Sequence, residues 1–252
     1  MFPEQSGKLV VIEGADGCGK TVATDLLVKR LRNCGFKVIQ REFPNYGNPP
    51  EGNPASYFER KYLRKREFGF EHGFGPSVAV DPRVASTFYA IERFNYAFSQ
   101  EPRDRPNLWD NLISGNIVIS NRYVESNLGH QGAKLKDPAK RADFMKWVVD
   151  YEYEFYKIPH PDLVILLDIH PDLAIKAKQE QRQLQGLSKD GHEVNEDFIR
   201  NSRETYLEAA KLFGGYWEVV TVWTNDDNPV FREHRDIQMD IWNCLTKHRI
   251  IL

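Results

Sequence analysis

Eight residues near the start of the chain, Gly14-Ala15-Asp16-Gly17-Cys18-Gly19-Lys20-Thr21, have the form G-x-x-x-x-G-K-[ST]. In such a loop the glycines let backbone N–H groups curl around a polyphosphate. The lysine, Lys20, then reaches the β and γ phosphates, and the hydroxyl of Thr21 binds Mg²⁺. That chemistry needs a strand before the loop and a helix after it. The apolar run Leu9-Val10-Val11-Ile12 stands directly before, and a helix-compatible run from Ala23 to Arg32 follows. With Gly at about 7% of residues, a chance match in a chain of this length is roughly a one-in-a-hundred event, before the flanking pattern is required. The residues imply a nucleoside triphosphate site.

Two further groups carry chemistry. Ser120-Asn121-Arg122-Tyr123-Val124-Glu125-Ser126-Asn127 follows an apolar run. Strand ends of an open α/β sheet face the ligand crevice, so Arg122 can offer two N–H groups to a phosphate there. His130-Gln131-Gly132 comes within one or two helical turns. Tyr89 and Arg93 are four residues apart in a helical stretch and share a face. A ring with a guanidinium one turn on suits a flat heterocycle, although the same spacing also describes a packed face, to which Phe88, Phe94 and Phe98 are assigned. The base-reading Asn-Lys-x-Asp of GTPases is not present, while Asp168 at a strand end leaves an ATPase open.

The elements that must position these groups alternate short apolar runs with amphipathic helical stretches, as in a parallel sheet covered on both faces. Strands are expected at Lys8–Glu13, Lys37–Arg41, Asn116–Ser120, Leu163–Ile169 and Trp217–Val222. Leu163 to Leu167 is apolar throughout, as a strand buried on both sides should be. A helix is expected from Pro82 to about Gln100, another from near Glu196. The 252 residues, 41% hydrophobic and 28% charged, suit one soluble globular domain. Thirty-four Lys and Arg against 36 Asp and Glu leave a net charge of −2, so no global field draws nucleic acid or anionic membrane. Cys18, Cys34 and Cys244 are read as free thiols of a reducing compartment. No leader and no membrane-length apolar run is read, and the expectation is a cytoplasmic protein.

Gly14 to Thr21, then Phe43-Pro44-x-Tyr46-Gly47, Tyr89-Ala90-x-x-Arg93, and Arg122-Tyr123 with Ser126-Asn127 and Gln131-Gly132 together resemble the thymidylate kinase family in order and spacing. The resemblance covers roughly residues 8 to 222, and Asp16 within the loop is its most specific element. It implies a three-layer P-loop NTPase fold, with a five-stranded parallel sheet and a short lid at about 177–195. It implies transfer of the γ-phosphoryl of Mg·ATP to dTMP, and a homodimer. ATP would bind through Gly14, Ala15, Asp16, Gly17, Cys18, Gly19, Lys20 and Thr21. Arg122 would hold the acceptor phosphate, with Asp16 near it and the sugar 3′-hydroxyl. Tyr89 would be the stacking ring and Arg93 the reader of the thymine edge. Phe43, Tyr46, Asn127 and Gln131 would line the nucleoside pocket. The lid would supply cations to ATP from Lys178, Arg182 and Lys189, of which Arg182 is counted with Asp16, Lys20 and Arg122 as catalytic.

The chain departs from the family pattern at three places. Asn121 stands where Asp-Arg-Tyr is usual, removing a negative charge, so that either turnover is slower or Glu13, Asp168 or Glu193 compensates. Asn45 stands where an arginine commonly follows Phe-Pro, with Arg41 close in sequence. The lid shows Gln179, Gln181, Gln183 and Gln185 in place of closely spaced arginines. Added segments are Ser56 to Pro76, read as a helix with a solvated basic side and an aromatic side on the body, and a C-terminal helix at about 229–249 that packs on the sheet through Ile237, Ile241 and Leu245. Rival readings are a kinase for another nucleoside monophosphate, a deoxynucleoside kinase using Glu42, and a nucleotide-binding protein without catalysis, which Asn121 keeps open.

Overall fold

The computed structural model describes residues 6–99, 106–184 and 196–251, without the side chains of 181–184. Its centre is a five-stranded, all-parallel sheet in the order β2-β3-β1-β4-β5. The strands are β1 (Lys8–Glu13), β2 (Val38–Glu42), β3 (Ile117–Asn121), β4 (Leu163–Asp168) and β5 (Trp217–Thr221). All five expected strands are present, each within a residue of its expected bounds. β1, β3 and β4 are buried almost throughout, as strands covered on both faces must be.

Side chains alternate across the sheet and so feed two apolar layers. Val10, Ile12, Ile119, Ile165 and Leu167 face α1 (Lys20–Asn33) through Leu27 and Leu31. Leu9, Val11, Val118, Val164 and Leu166 face the other way, onto Phe144, Met145, Tyr123 and Tyr206. Between β2 and β3 run α2 (Tyr57–Leu63), α3 (Pro82–Phe98) and α4 (Leu108–Ile113). α3 starts where the sequence requires. Asp81 caps it by accepting the Arg83 N–H at 2.8 Å, and Pro82 fills the first helical position, where no N–H is needed. α5 (Pro138–Val149), α6 (Pro171–Leu184) and α7 (Glu196–Phe213) follow.

Three expectations are revised. Ala177–Leu184 is not lid loop but the end of α6, whose polar surface looked loop-like in sequence; residues 185–195, with Lys189 and Glu193, lie outside the described residues. The last helix, α8, is His234–Lys247, preceded by a small antiparallel pair, β6 (Trp223–Thr224) with β7 (Val230–Phe231), so 229–233 are not helical. Ile237, Ile241 and Leu245 do enter the core beside α1 and β4. In the added segment, Tyr62 packs on Phe88, but Arg60 is buried, donating to the carbonyls of Glu51 (2.9 Å) and Asn53 (3.0 Å), and Glu59 beside it is fully buried. Two of its charged groups thus face inward and not to solvent.

Candidate active site

The loop between β1 and α1 turns through positions that only glycine holds without strain. Gly14 has φ +146°, and a Cβ there would lie 2.6 Å from the Leu167 carbonyl oxygen. Gly19, at φ +85°, sits at the helix N-cap with no side chain capping it, which leaves the first N–H groups of α1 to an anion. Lys20 lies back across the loop, its Nζ 2.9 Å from the carbonyl oxygens of both Gly14 and Ala15. Burial and the nearby Arg122 push its ammonium below the ordinary lysine range.

Arg122 meets this loop from β3. It is a non-glycine residue at φ 70°, fixed there by its N–H to the Ile12 carbonyl (3.0 Å) and by the Ser120 hydroxyl on its own carbonyl (2.6 Å). The bend sends its guanidinium over the loop, where Nη2 donates to Asp16 at 2.5 Å. Its Nη1 lies 2.8 Å from His130 Nε2. Arginine only donates, so Nε2 accepts and Nδ1 carries the proton, facing the Ser202 hydroxyl at 3.2 Å. Burial holds His130 neutral, down to about 3. Burial alone would raise the Asp16 carboxyl; the cations Arg122, Lys20 and Lys178 around it outweigh that and hold the group well below the usual carboxylate range. Lys178, on α6, reaches Asp16 at 3.4 Å. Of the three expected lid cations it is the one brought to the loop; Lys189 and the side chain of Arg182 fall outside the described residues.

Glu13 anchors the bend. Fully buried, it accepts the Tyr123 N–H (2.9 Å) and the hydroxyls of Ser126 (2.8 Å) and Tyr206 (3.0 Å). Asp168 accepts from Nε and Nη2 along one edge of the Arg203 guanidinium, at 2.6 and 2.9 Å. Neither has the spare capacity expected of a replacement for the charge missing at Asn121. The carboxylate next to Asn121 is Glu42, whose Oε1 accepts from Asn121 Nδ2 at 3.1 Å. The same Nδ2 reaches the Thr21 hydroxyl at 3.3 Å, and Asn121 Oδ1 is buried without a partner. The Thr21 hydroxyl and the Glu42 carboxylate, joined through the Asn121 amide, are hard oxygen donors of the kind that suits Mg²⁺.

The expected nucleoside residues divide. Tyr89 is half-buried, edge-on to Tyr62 at 6.4 Å. Tyr46 lies beneath the Arg64 guanidinium at 5.0 Å, a contact from the added segment. Gln131 is buried with an unpartnered Oε1. Phe43 is a core residue between Tyr96 and Tyr123, with ring centroids 5.7 and 5.8 Å away. Arg93 is 2% exposed and forms a two-pronged ion pair with Glu152, Nε and Nη2 each at 2.6 Å. A third N–H faces the Tyr123 carbonyl at 3.3 Å, so among the described residues two of its five N–H groups have no partner. Asn127 Nδ2 joins the pair at Glu152, 3.0 Å away. Glu152 was missed in sequence because it lies among the aromatics of 150–156 with no motif around it. Arg41 turns onto the Tyr96 ring (4.4 Å) in a polar cleft of about 140 Å³ that Asn45, the position of the missing Phe-Pro-Arg cation, also lines with Glu92 and Asn107.

A family model described as "Thymidylate kinase" matches residues 76–227. A protein named "Thymidylate kinase" from Mycobacterium tuberculosis is 27% identical over 215 residues, 84% of this chain and 90% of that one. A "Probable thymidylate kinase" from Pyrobaculum aerophilum is 32% identical over 204 residues, 80% of this chain and 82% of its own. Another so named, from Thermococcus gammatolerans, is 28% identical over 233 residues, covering 92% and 94%.

Proposed function

The chain belongs to the thymidylate kinase family, and on that basis we propose that it phosphorylates dTMP to dTDP with ATP through the residues gathered at the loop. One observation carries the assignment of the site: Arg122 is held over the phosphate loop at 2.5 Å from Asp16. Phosphoryl transfer asks for positioning and charge neutralisation more than for covalent chemistry. The loop N–H groups and the α1 N-terminus bind the ATP phosphates. Lys20 swings from the carbonyls of Gly14 and Ala15 to the β and γ phosphates. Arg122 takes the dTMP 5′-phosphate, and Asp16, released in part from Arg122, accepts the sugar 3′-hydroxyl. Lys178 adds positive charge from α6. Thr21 would hold Mg²⁺, with Asn121 beside it; when bound, the ion supplies charge neutralisation on the phosphates. Tyr89, Tyr46, Asn127 and Gln131 bind the nucleoside, and Arg93 gives its remaining N–H groups to the base edge while Glu152 keeps the guanidinium in place.

A homodimer and a cytoplasmic location belong to the same reading. Among the described residues no helix is long and apolar enough to cross a membrane. The run of rings Phe94, Tyr156, Tyr151 and Phe155 leaves Phe94 and Phe155 exposed, which supports a second copy on that face.

The test is ADP release with Mg·ATP and, in turn, dTMP, dUMP, dCMP, dGMP, dAMP and thymidine. Turnover on dTMP well above the others is expected. Turnover on another acceptor, or none with any, would overturn the reading.

A further inference from the structure

The C-terminal ends of β2 and β3 bring together three groups that lie far apart in sequence. Glu42 and Asn121 are partners in the β2–β3 register, and Ile12, at the mouth of the phosphate loop, flanks Asn121 on its other side. Asn121 is 4% exposed. Glu42 is a carboxylate that only accepts, so the amide turns its NH₂ toward it and toward the Thr21 hydroxyl. Its carbonyl oxygen is thereby left buried with no partner. An unpaired buried carbonyl carries a desolvation cost, which a ligand at that position relieves.

Hard divalent cations favour anionic oxygen, and a neutral amide beside a hydroxyl attracts them weakly. Among the described residues, the other carboxylates named above are engaged. Asp16 is held by Arg122 and Lys178, Glu13 by Tyr123, Ser126 and Tyr206, and Asp168 by Arg203. Glu42 is solvent-exposed, and among the described residues its carboxylate accepts from Asn121.

We propose that Glu42 supplies the negative charge for the nucleotide-bound divalent cation at Thr21, with Asn121 as the link that holds its carboxylate there. The charge has in effect moved one strand across, from the end of β3 to the end of β2. The inference rests on the phosphate-loop part of the reading above, because the cation arrives with the nucleotide. It does not depend on which acceptor is phosphorylated.

The experiment is binding of Mn²⁺ in the presence of saturating ADP, followed by the electron paramagnetic resonance signal of the free ion. It compares the unmodified chain with Glu42→Gln, Asn121→Asp and the double variant, with thermal melts confirming that each is folded. Glu42→Gln should weaken Mn²⁺ binding by about tenfold while leaving ADP affinity without metal intact. Asn121→Asp introduced into Glu42→Gln should recover it. Unchanged Mn²⁺ affinity in Glu42→Gln would overturn the proposal. So would a loss that Asn121→Asp does not repair, since Glu42 would then be only a prop for the Asn121 side chain. A chain that binds Mn²⁺ in a Glu42-dependent way yet does not phosphorylate dTMP would sink the functional reading and leave this one standing.

Discussion

Arg122 occupies a backbone region that disfavours any residue with a Cβ by about 1–2 kcal/mol. The strain persists because Ile12 and Ser120 hold its peptide groups, and what it secures is the direction of the guanidinium. Arg122→Gly and Arg122→Ala both remove the charge, but only glycine relieves the backbone. Turnover of dTMP should fall at least about a hundredfold in both, while Arg122→Gly should unfold at a higher temperature than Arg122→Ala. Equal melting temperatures would remove the strain argument. Glu59 sets a second test. Both of its oxygens are buried without partners, and burial, with Glu92 nearby, pushes its carboxyl from 4.5 up to about 8. The folded chain therefore keeps a proton that the unfolded chain releases. Its contribution to stability is whole below about pH 4.5 and is lost as pH rises toward 8. Glu59→Gln should melt above the unmodified protein at pH 8 and show little difference at pH 4.5, as followed by circular dichroism.

Between elements, the pair of Arg93 and Glu152 ties α3 to the π-helical segment Asp150–Phe155 that continues α5. It is closed to solvent, with Asn127 as a third member. Removing one partner of such a pair leaves an uncompensated buried charge and typically costs about 3–5 kcal/mol. Arg93→Ala should lower the unfolding free energy obtained from urea titration by an amount in that range and move the midpoint down accordingly, and Arg93→Met with Glu152→Leu should recover much of it. A residue serving the base edge alone would leave the midpoint unmoved. The pairing also shows why the spacing of Tyr89 and Arg93 admitted two readings. Arg93 is at once packed in the interior and adjacent to the expected nucleoside residues, and periodicity cannot separate those descriptions.

Across the whole molecule, α8 closes the sheet on the side of α1. Ile241 is wholly buried there between α1 and the sheet. Ile241→Ala should cost about 2–5 kcal/mol by calorimetry, with kcat/KM for dTMP unchanged at temperatures where the variant is folded. A matching loss of kcat/KM would mean that α8 does more than cover the core.

The phosphate loop, the five strands and the start of α3 were legible because each is a local pattern: glycines at set spacing, short apolar runs, Pro82 at the first helical position. Local sequence carries the backbone geometry that an eight-residue loop needs, and alternation fixes which faces of a strand are buried. The partners of the site's charges were not legible. Glu13 with Tyr206, Arg93 with Glu152, Asp168 with Arg203 and Lys178 with Asp16 each join residues at least 35 positions apart. Placing β2 one residue later than expected turned Glu42 from a residue after the strand into its last member, opposite Asn121. Sequence alone determined that there is a phosphate-binding loop on a parallel sheet and which family pattern it follows. Only the tertiary structure decided which carboxylates are spent and which remain for a ligand, because a charge buried in a fold is defined by whatever distant side chain neutralises it.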